Sequence, residues 1–205
     1  MTNQTSAPDC RSAVRDGVEG NARLTAAAAA VLLLLLAAEG ATLLSVQSLL
    51  RAHVFIGFAL IPPTLLKIGA TGYRFARYYT GAAGYRGKGP PKLVLRLLGP
   101  VVILTTGALL ASGVGLGLTR GSTRALLLSC HKASFVVWFA AMTVHVLGHA
   151  LDVARVGPRD WRAAPRSVIG GVGARRWLIA VVIVVGCFAG VVGLQALGSW
   201  QALSG

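Results

Sequence analysis

Long apolar runs separated by short polar segments dominate this chain. Five runs approach the roughly 20 residues that a helix needs to cross the hydrocarbon core of a bilayer, and they cover about residues 24–44, 49–72, 95–118, 125–150 and 177–199. The composition agrees, because 55% of the residues are hydrophobic and only 13% are charged. The sequence therefore predicts an all-α integral membrane bundle of about five transmembrane helices at 24–201, preceded by a basic tail at 1–23.

The net charge of +14 is distributed in a way that predicts topology. Six Lys and Arg residues lie from Arg74 to Arg96, six more from Arg155 to Arg176, and three in the tail, whereas the other two connections carry few. Because these residues lie between apolar runs and not on a soluble domain, the expected partner is the lipid bilayer and not nucleic acid. The positive-inside rule then predicts a protein of the bacterial inner (plasma) membrane with a cytoplasmic N-terminus and an external C-terminus.

The first apolar run leaves one alternative open. An Arg-bearing tail followed by AAAAAVLLLLLAAEGA also resembles a secretory signal with a small-residue cleavage site. The apolar run continues past Glu39 through ATLLSVQSLL, which is longer than a signal core needs to be, and this favours a membrane helix. Cleavage would leave four helices with the same topology.

Ionisable residues inside a membrane are costly, and they are therefore candidates for function. In this chain they are Glu39, His53, Lys67, His131, His145 and His149. His131 and His145 are 14 positions apart, which puts them within about 40° of one helix face and about 21 Å apart along the axis. One helix can thus present an imidazole to each leaflet.

A second helix supplies a partner at the outer level. His53 and His131 each lie about 20 residues before the inner end of their spans, so their depths match. A haem between the two helices could take one neutral imidazole from each. Lys67 lies 14 positions after His53, level with His145. Since lysine is not a usual haem ligand, a second haem is a weaker expectation than the first.

Four other residues of these spans lie near the two histidine levels or between them. Pro62 and Pro63 predict a kink midway along the second span. Trp138 lies seven positions from both His131 and His145, between the two levels. Glu39, in the outer half of the first span, should be protonated or paired, with an outer-leaflet histidine or Arg51 as its candidate partners.

Two segments carry a family resemblance, HVFIGFALIPPTLLKIGATGYRFARYY and HKASFVVWFAAMTVHVLGHALD. They resemble the small bacterial membrane cytochrome b proteins, which include the membrane-anchor subunits of formate dehydrogenases. The resemblance implies a four-helix core that holds haem b, here with one extra helix. His131 and His145 match the family's two-histidine helix and His53 its partner ligand, whereas Lys67 stands where a fourth ligand would fit.

Three functions remain open on the sequence alone. The first is b-type electron transfer with a quinone or a redox partner subunit, for which the candidate cofactor-binding residues are His53, His131, His145 and Lys67. The second is a non-catalytic scaffold or assembly subunit, whose polar residues hold helices together. The third is a proton-coupled transporter that uses Glu39, Lys67 and the histidines, although no internal symmetry is visible in the five spans.

Overall fold

A computed structural model describes residues 10–87, 93–119, 121–156, 158 and 170–202 of the chain. All regular structure within these ranges is helical, and none of it is strand. The all-α fold class expected from the apolar runs is therefore confirmed.

Seven α-helices and one short 3-10 helix make up the described chain. They are α1 (Cys10–Thr42), the 3-10 helix Leu43–Ser45, α2 (Leu50–Ala59), α3 (Ile61–Tyr79), α4 (Ala83–Arg86), α5 (Leu93–Leu118), α6 (Ser122–Val156) and α7 (Val172–Ala202). Helices α2 and α3 follow each other across a single residue and form one span.

Five segments are long and apolar enough to cross a membrane. They are Asp16–Ser45, Leu50–Tyr79, Arg96–Leu118, Ser122–His149 and Val172–Leu197. Their number and order match the five predicted spans, and the largest differences are additional helical turns at the start of the first span and at the end of the second. The chain is thus a multi-pass membrane protein by the length and composition of its helices.

The basic N-terminal segment is partly helical. Helix α1 begins at Cys10, so the described part of the segment at 1–23 continues directly into the first span. Residues 1–9 lie outside the described part of the chain, and so do Arg159, Arg162 and Arg166 of the fourth connection. The orientation inferred from these charges stays a prediction.

The second span is interrupted at Leu60. Pro62 and Pro63 occupy the first turn of α3, where a missing N–H group costs that helix nothing. Proline cannot donate a hydrogen bond to the preceding helical turn, however, and the carbonyl group of Ala59 therefore loses its regular helical donor. The predicted kink takes the form of a break between two helices.

Helix α7 packs against α2 through three glycines, Gly186, Gly190 and Gly193. A Cβ atom on Gly186 would lie 2.8 Å from the carbonyl oxygen of Ala59, and one on Gly190 would lie 2.8 Å from that of Phe55. Main-chain atoms cannot move aside as a side-chain end can. The two helices therefore approach this closely only because these positions lack a side chain.

Helix α1 lies against α2, α3, α6 and α7 and forms the centre of the bundle. In its buried contact with α7, helix α1 contributes two small side chains, Ala27 and Ala28, which pack with Ile179. Large apolar side chains point outward instead, and Leu34, Leu104 and Phe188 are 74%, 72% and 69% exposed. This distribution is typical of helices that face lipid on the outside and pack closely inside.

We expect Gly186→Ala to lower the stability of the protein by about 1–3 kcal/mol, because the added methyl group overlaps a main-chain oxygen of α2. Unfolding in detergent micelles, followed by circular dichroism, measures the change. Gly173→Ala on the same helix is the matched control, since a Cβ atom there meets no other atom within 4 Å. Equal stability of the two variants would contradict the close α2–α7 contact.

Candidate functional site

Two buried hydroxyl groups identify the site. Among the described residues, the buried polar side chains are Thr42, which is 4% exposed, and Ser112, which is 6% exposed. Thr42 Oγ1 lies 3.0 Å from Nδ1 of His53, and Ser112 Oγ lies 3.0 Å from Nδ1 of His131. Each hydroxyl thus contacts one histidine across a helix–helix interface.

The position of these contacts follows from two helical hairpins. Thr42 ends α1 and His53 lies in the first turn of α2, while Ser112 lies near the end of α5 and His131 in the first half of α6. A short connection joins the two helices in each hairpin, so neighbouring turns of consecutive helices lie side by side. Both histidines are held near the connection of their own hairpin.

The hydroxyl proton of Thr42 determines the tautomer of His53. Thr42 Oγ1 donates this proton to the carbonyl oxygen of Glu39 at 2.6 Å, because a carbonyl group can only accept. A hydroxyl has one proton, and Thr42 Oγ1 must therefore accept from Nδ1–H of His53. Nε2 of His53 is left with its lone pair.

Nδ1 of His131 also carries a proton, but its hydrogen-bond acceptors differ from those of His53. Its Nδ1 lies 3.1 Å from the carbonyl oxygen of Leu109, to which it can only donate. Ser112 Oγ donates to the carbonyl oxygen of Ala108 at 2.7 Å and so accepts from the same ring nitrogen. Nδ1 therefore carries a proton in both imidazoles, and in the neutral Nδ1–H tautomer Nε2 keeps the lone pair that can bind a metal.

Glu39 adds a carboxyl group to the His53 side of the site. Its Oε1 lies 2.8 Å from Nδ1 of His53, while its Oε2 is buried and has no hydrogen-bond partner among the described residues. Of the two partners considered from the sequence, an outer-leaflet histidine and Arg51, the structure provides the histidine. Glu39 belongs to α1, so the site needs the first helix.

The two predicted outer-level histidines lie next to each other. The ring centroids of His53 and His131 are 6.4 Å apart, and the ring planes are nearly perpendicular at 88°. Gly113 lies beside this pair, and a Cβ atom there would be 3.2 Å from Cε1 of His131. A larger residue at this position would press on the ring.

The two inner-level residues have different surroundings. Nζ of Lys67 donates to the carbonyl oxygen of Thr25 on α1 at 3.1 Å. The ring of His145 lies 4.9 Å from that of His149 on the same helix, and its Nδ1 is buried without a hydrogen-bond partner in the described chain. None of these contacts places a histidine of another helix beside His145.

Trp138 fixes α5 against α6 below the histidine pair. It is 8% exposed, and its Nε1–H donates to Thr106 Oγ1 of α5 at 2.9 Å. Its ring also lies 6.2 Å from that of Phe135. The position between the two histidine levels thus belongs to a packed, hydrogen-bonded side chain.

Sequence reasoning did not find the residues that orient the two rings. Thr42 and Ser112 are ordinary components of membrane helices, and the carbonyl group of Leu109 has no sequence signal. The position of Thr42 three residues after Glu39, at the end of the same apolar run, is the one feature that could have suggested a polar site.

Comparisons with protein-family models, with curated proteins and with solved structures gave no match. Within the described residues, no group of three or more His, Cys, Asp or Glu side chains could hold a metal ion. The site therefore offers two imidazoles and one carboxyl group.

We expect the Trp138–Thr106 hydrogen bond to contribute about 0.6 kcal/mol, and up to about 1.7 kcal/mol, to the free energy of unfolding, as such bonds do between membrane helices. A double-mutant cycle with Trp138→Phe and Thr106→Val isolates this coupling. The same cycle with Thr105→Val is the control, because Thr105 bonds to its own helix. Additive effects of Trp138→Phe and Thr106→Val would contradict the bond.

Proposed function

We propose that this chain is a b-type cytochrome-like electron-transfer protein that binds one haem between α2 and α6 through His53 and His131. The observation that supports it most is the pair of adjacent imidazoles from two helices, in each of which Nδ1 has hydrogen-bond acceptors, so that Nε2 of the neutral ring is left to bind. Metal-bound histidines generally donate their second ring N–H to a carbonyl, carboxylate or similar acceptor.

The separation of the rings suits two ligands of one metal. Imidazole nitrogen lies about 2.0–2.1 Å from a bound metal, and each atom of a five-membered ring lies about 1.15 Å from its centroid. Two imidazoles that held one metal between them would therefore have centroids up to about 6.3–6.5 Å apart, and the centroids of His53 and His131 are 6.4 Å apart. A haem iron takes its other four ligands from the porphyrin, so two histidines suffice.

The role of the protein follows from these contacts. A bound haem supplies one-electron oxidation and reduction. Nε2 of His53 and Nε2 of His131 would hold it, while Thr42, Ser112 and the carbonyl group of Leu109 keep both rings in the required tautomer.

A single haem fits the contacts better than two. Lys67 donates a hydrogen bond to the Thr25 carbonyl group, and the aromatic ring beside His145 in the described part of the chain is that of His149 on the same helix. Residues four apart project from the same side of a helix, so this pair cannot hold one haem from both faces. We therefore assign no ligand role to Lys67 or His145.

The charge distribution along the sequence supports placing this electron transfer in a bacterial inner membrane. The charge bias favours a cytoplasmic N-terminus and an external C-terminus, which puts the histidine pair in the outer leaflet. Electrons would then come from, or pass to, a quinone or a redox partner subunit at this level.

A scaffold or assembly subunit is the second candidate. It is favoured by one observation, namely that His53 and His131 each hydrogen-bond across the helix pair of a hairpin and so also join helices. In that case the same contacts would serve packing alone, and no cofactor would bind.

The visible difference spectrum, dithionite-reduced minus oxidised, separates the two candidates. We expect b-type bands from the purified protein, lost in His53→Ala and in His131→Ala because each variant removes one of the two side chains that would hold the haem. His145→Ala is the matched control on α6 and should keep the full haem content. A folded, colourless protein from haem-sufficient cells would exclude the proposal.

Gly113 provides an independent check. We expect Gly113→Val to lower haem occupancy several-fold, because the Cβ atom alone would lie 3.2 Å from the His131 ring. Gly117→Val, on the same helix, is the control, since a Cβ atom there meets no atom within 4 Å. Haem content, from the pyridine haemochrome assay, should fall only in Gly113→Val, and equal content in both variants would contradict the expected role of this position.

A further inference from the structure

Glu39 is an isolated acid in the membrane. It is the one acidic residue between Glu19 and Asp152, and its carboxyl group has His53 as its ion-pair partner. A carboxyl group in a bilayer is costly unless it is paired. One of the two carboxyl oxygens of Glu39, Oε2, has no hydrogen-bond partner in the described chain. Its position suggests a role at His53 beyond joining helices, because Thr42 alone could accept the Nδ1 proton.

The two histidines differ in the acceptors around Nδ1. His131 donates to neutral groups, the carbonyl oxygen of Leu109 at 3.1 Å and Ser112 Oγ at 3.0 Å. His53 shares its Nδ1 proton between Thr42 Oγ1 at 3.0 Å and a carboxyl oxygen at 2.8 Å. A carboxylate acceptor makes an imidazole a stronger electron donor than a neutral acceptor does.

We propose that Glu39 is a positioning residue that holds His53 in its ligand orientation and, through this ring, lowers the reduction potential of the haem. The inference rests on the proposed function. Oxidised haem carries one more positive charge than reduced haem, so a nearby carboxylate and a more basic ligand both favour the oxidised form.

The packing around Glu39 is consistent with a fixed position. Its Oε1 lies over Gly57 of α2, where a Cβ atom would be 3.6 Å away, in ordinary contact. The carboxyl group thus lies between the main chain of α2 and the His53 ring. A side chain larger than alanine at residue 57 would compete for this space.

A redox titration of the full-length, haem-loaded protein in nanodiscs tests the inference. Glu39→Gln keeps the length of the side chain and an acceptor oxygen but removes the charge. At the potential where the unchanged protein is half reduced, we expect the ratio of reduced to oxidised haem to rise about five- to tenfold, the difference between a charge-assisted and a neutral hydrogen bond. Haem content is measured on the same samples.

Two further variants control for structural effects. Ser112→Ala removes a neutral acceptor from His131 and leaves the Leu109 carbonyl group, so its potential should change less than that of Glu39→Gln. Glu39→Asp keeps the charge and should stay closer to the unchanged protein. A haem-loaded Glu39→Gln whose potential is unchanged would overturn the inference while leaving the proposed haem site intact, whereas an absence of haem from the unchanged protein would overturn the site itself.

Thr42→Val covers the case in which Glu39→Gln does not load with haem. This variant leaves Glu39 as the acceptor of the His53 proton, so its potential should stay the same or fall. A rise in potential would show that the carboxyl group does not set it, and would overturn the inference. Loss of haem from a folded Glu39→Gln, with haem retained in Ser112→Ala, would support the positioning role.

Discussion

The interior of a bilayer has no water, and this constraint organises the site. Each buried N–H, hydroxyl or carboxyl group must find its partner within the protein or remain costly. Thr42 and Ser112 meet this requirement by donating to carbonyl groups of their own helices, which leaves them able only to accept from a histidine. The tautomers of His53 and His131 are consequences of this arrangement, and so is the availability of both Nε2 atoms.

The same constraint separates the half of the bundle that contains His53 and His131 from the half that contains Lys67 and His145. In the first half, two hairpins each enclose one histidine with a hydroxyl group, and the ring centroids lie 6.4 Å apart. In the second half, Lys67 donates to a carbonyl oxygen of α1, and Nδ1 of His145 has no hydrogen-bond partner among the described residues. The site is therefore a feature of the first half, with α1 supplying both Thr42 and Glu39.

Close packing of the helices depends on small residues. Without a hydrophobic force between helices in lipid, contact area and close approach stabilise the bundle. Gly186 and Gly190 allow α7 to lie against α2, and Ala27 and Ala28 allow α1 to occupy the centre. The break at Leu60 fits this scheme, because the carbonyl group of Ala59 that proline leaves without its helical donor lies beside Gly186. The position of α2, and with it that of His53, depends on these contacts.

The sequence by itself determined the number and order of the spans and the common depth of His53 and His131, because span length and helical rise depend only on local geometry and on the thickness of the bilayer. It could not determine which groups face the two Nδ1 atoms. These groups are Thr42, Ser112 and the Leu109 carbonyl group. They meet the histidines because of the rotation and register of neighbouring helices, and small residues far along the chain determine that packing. The hydrogen bond from Lys67 to the Thr25 carbonyl group was likewise decided by the tertiary structure, since the depth of a residue does not determine which group of a neighbouring helix its side chain meets.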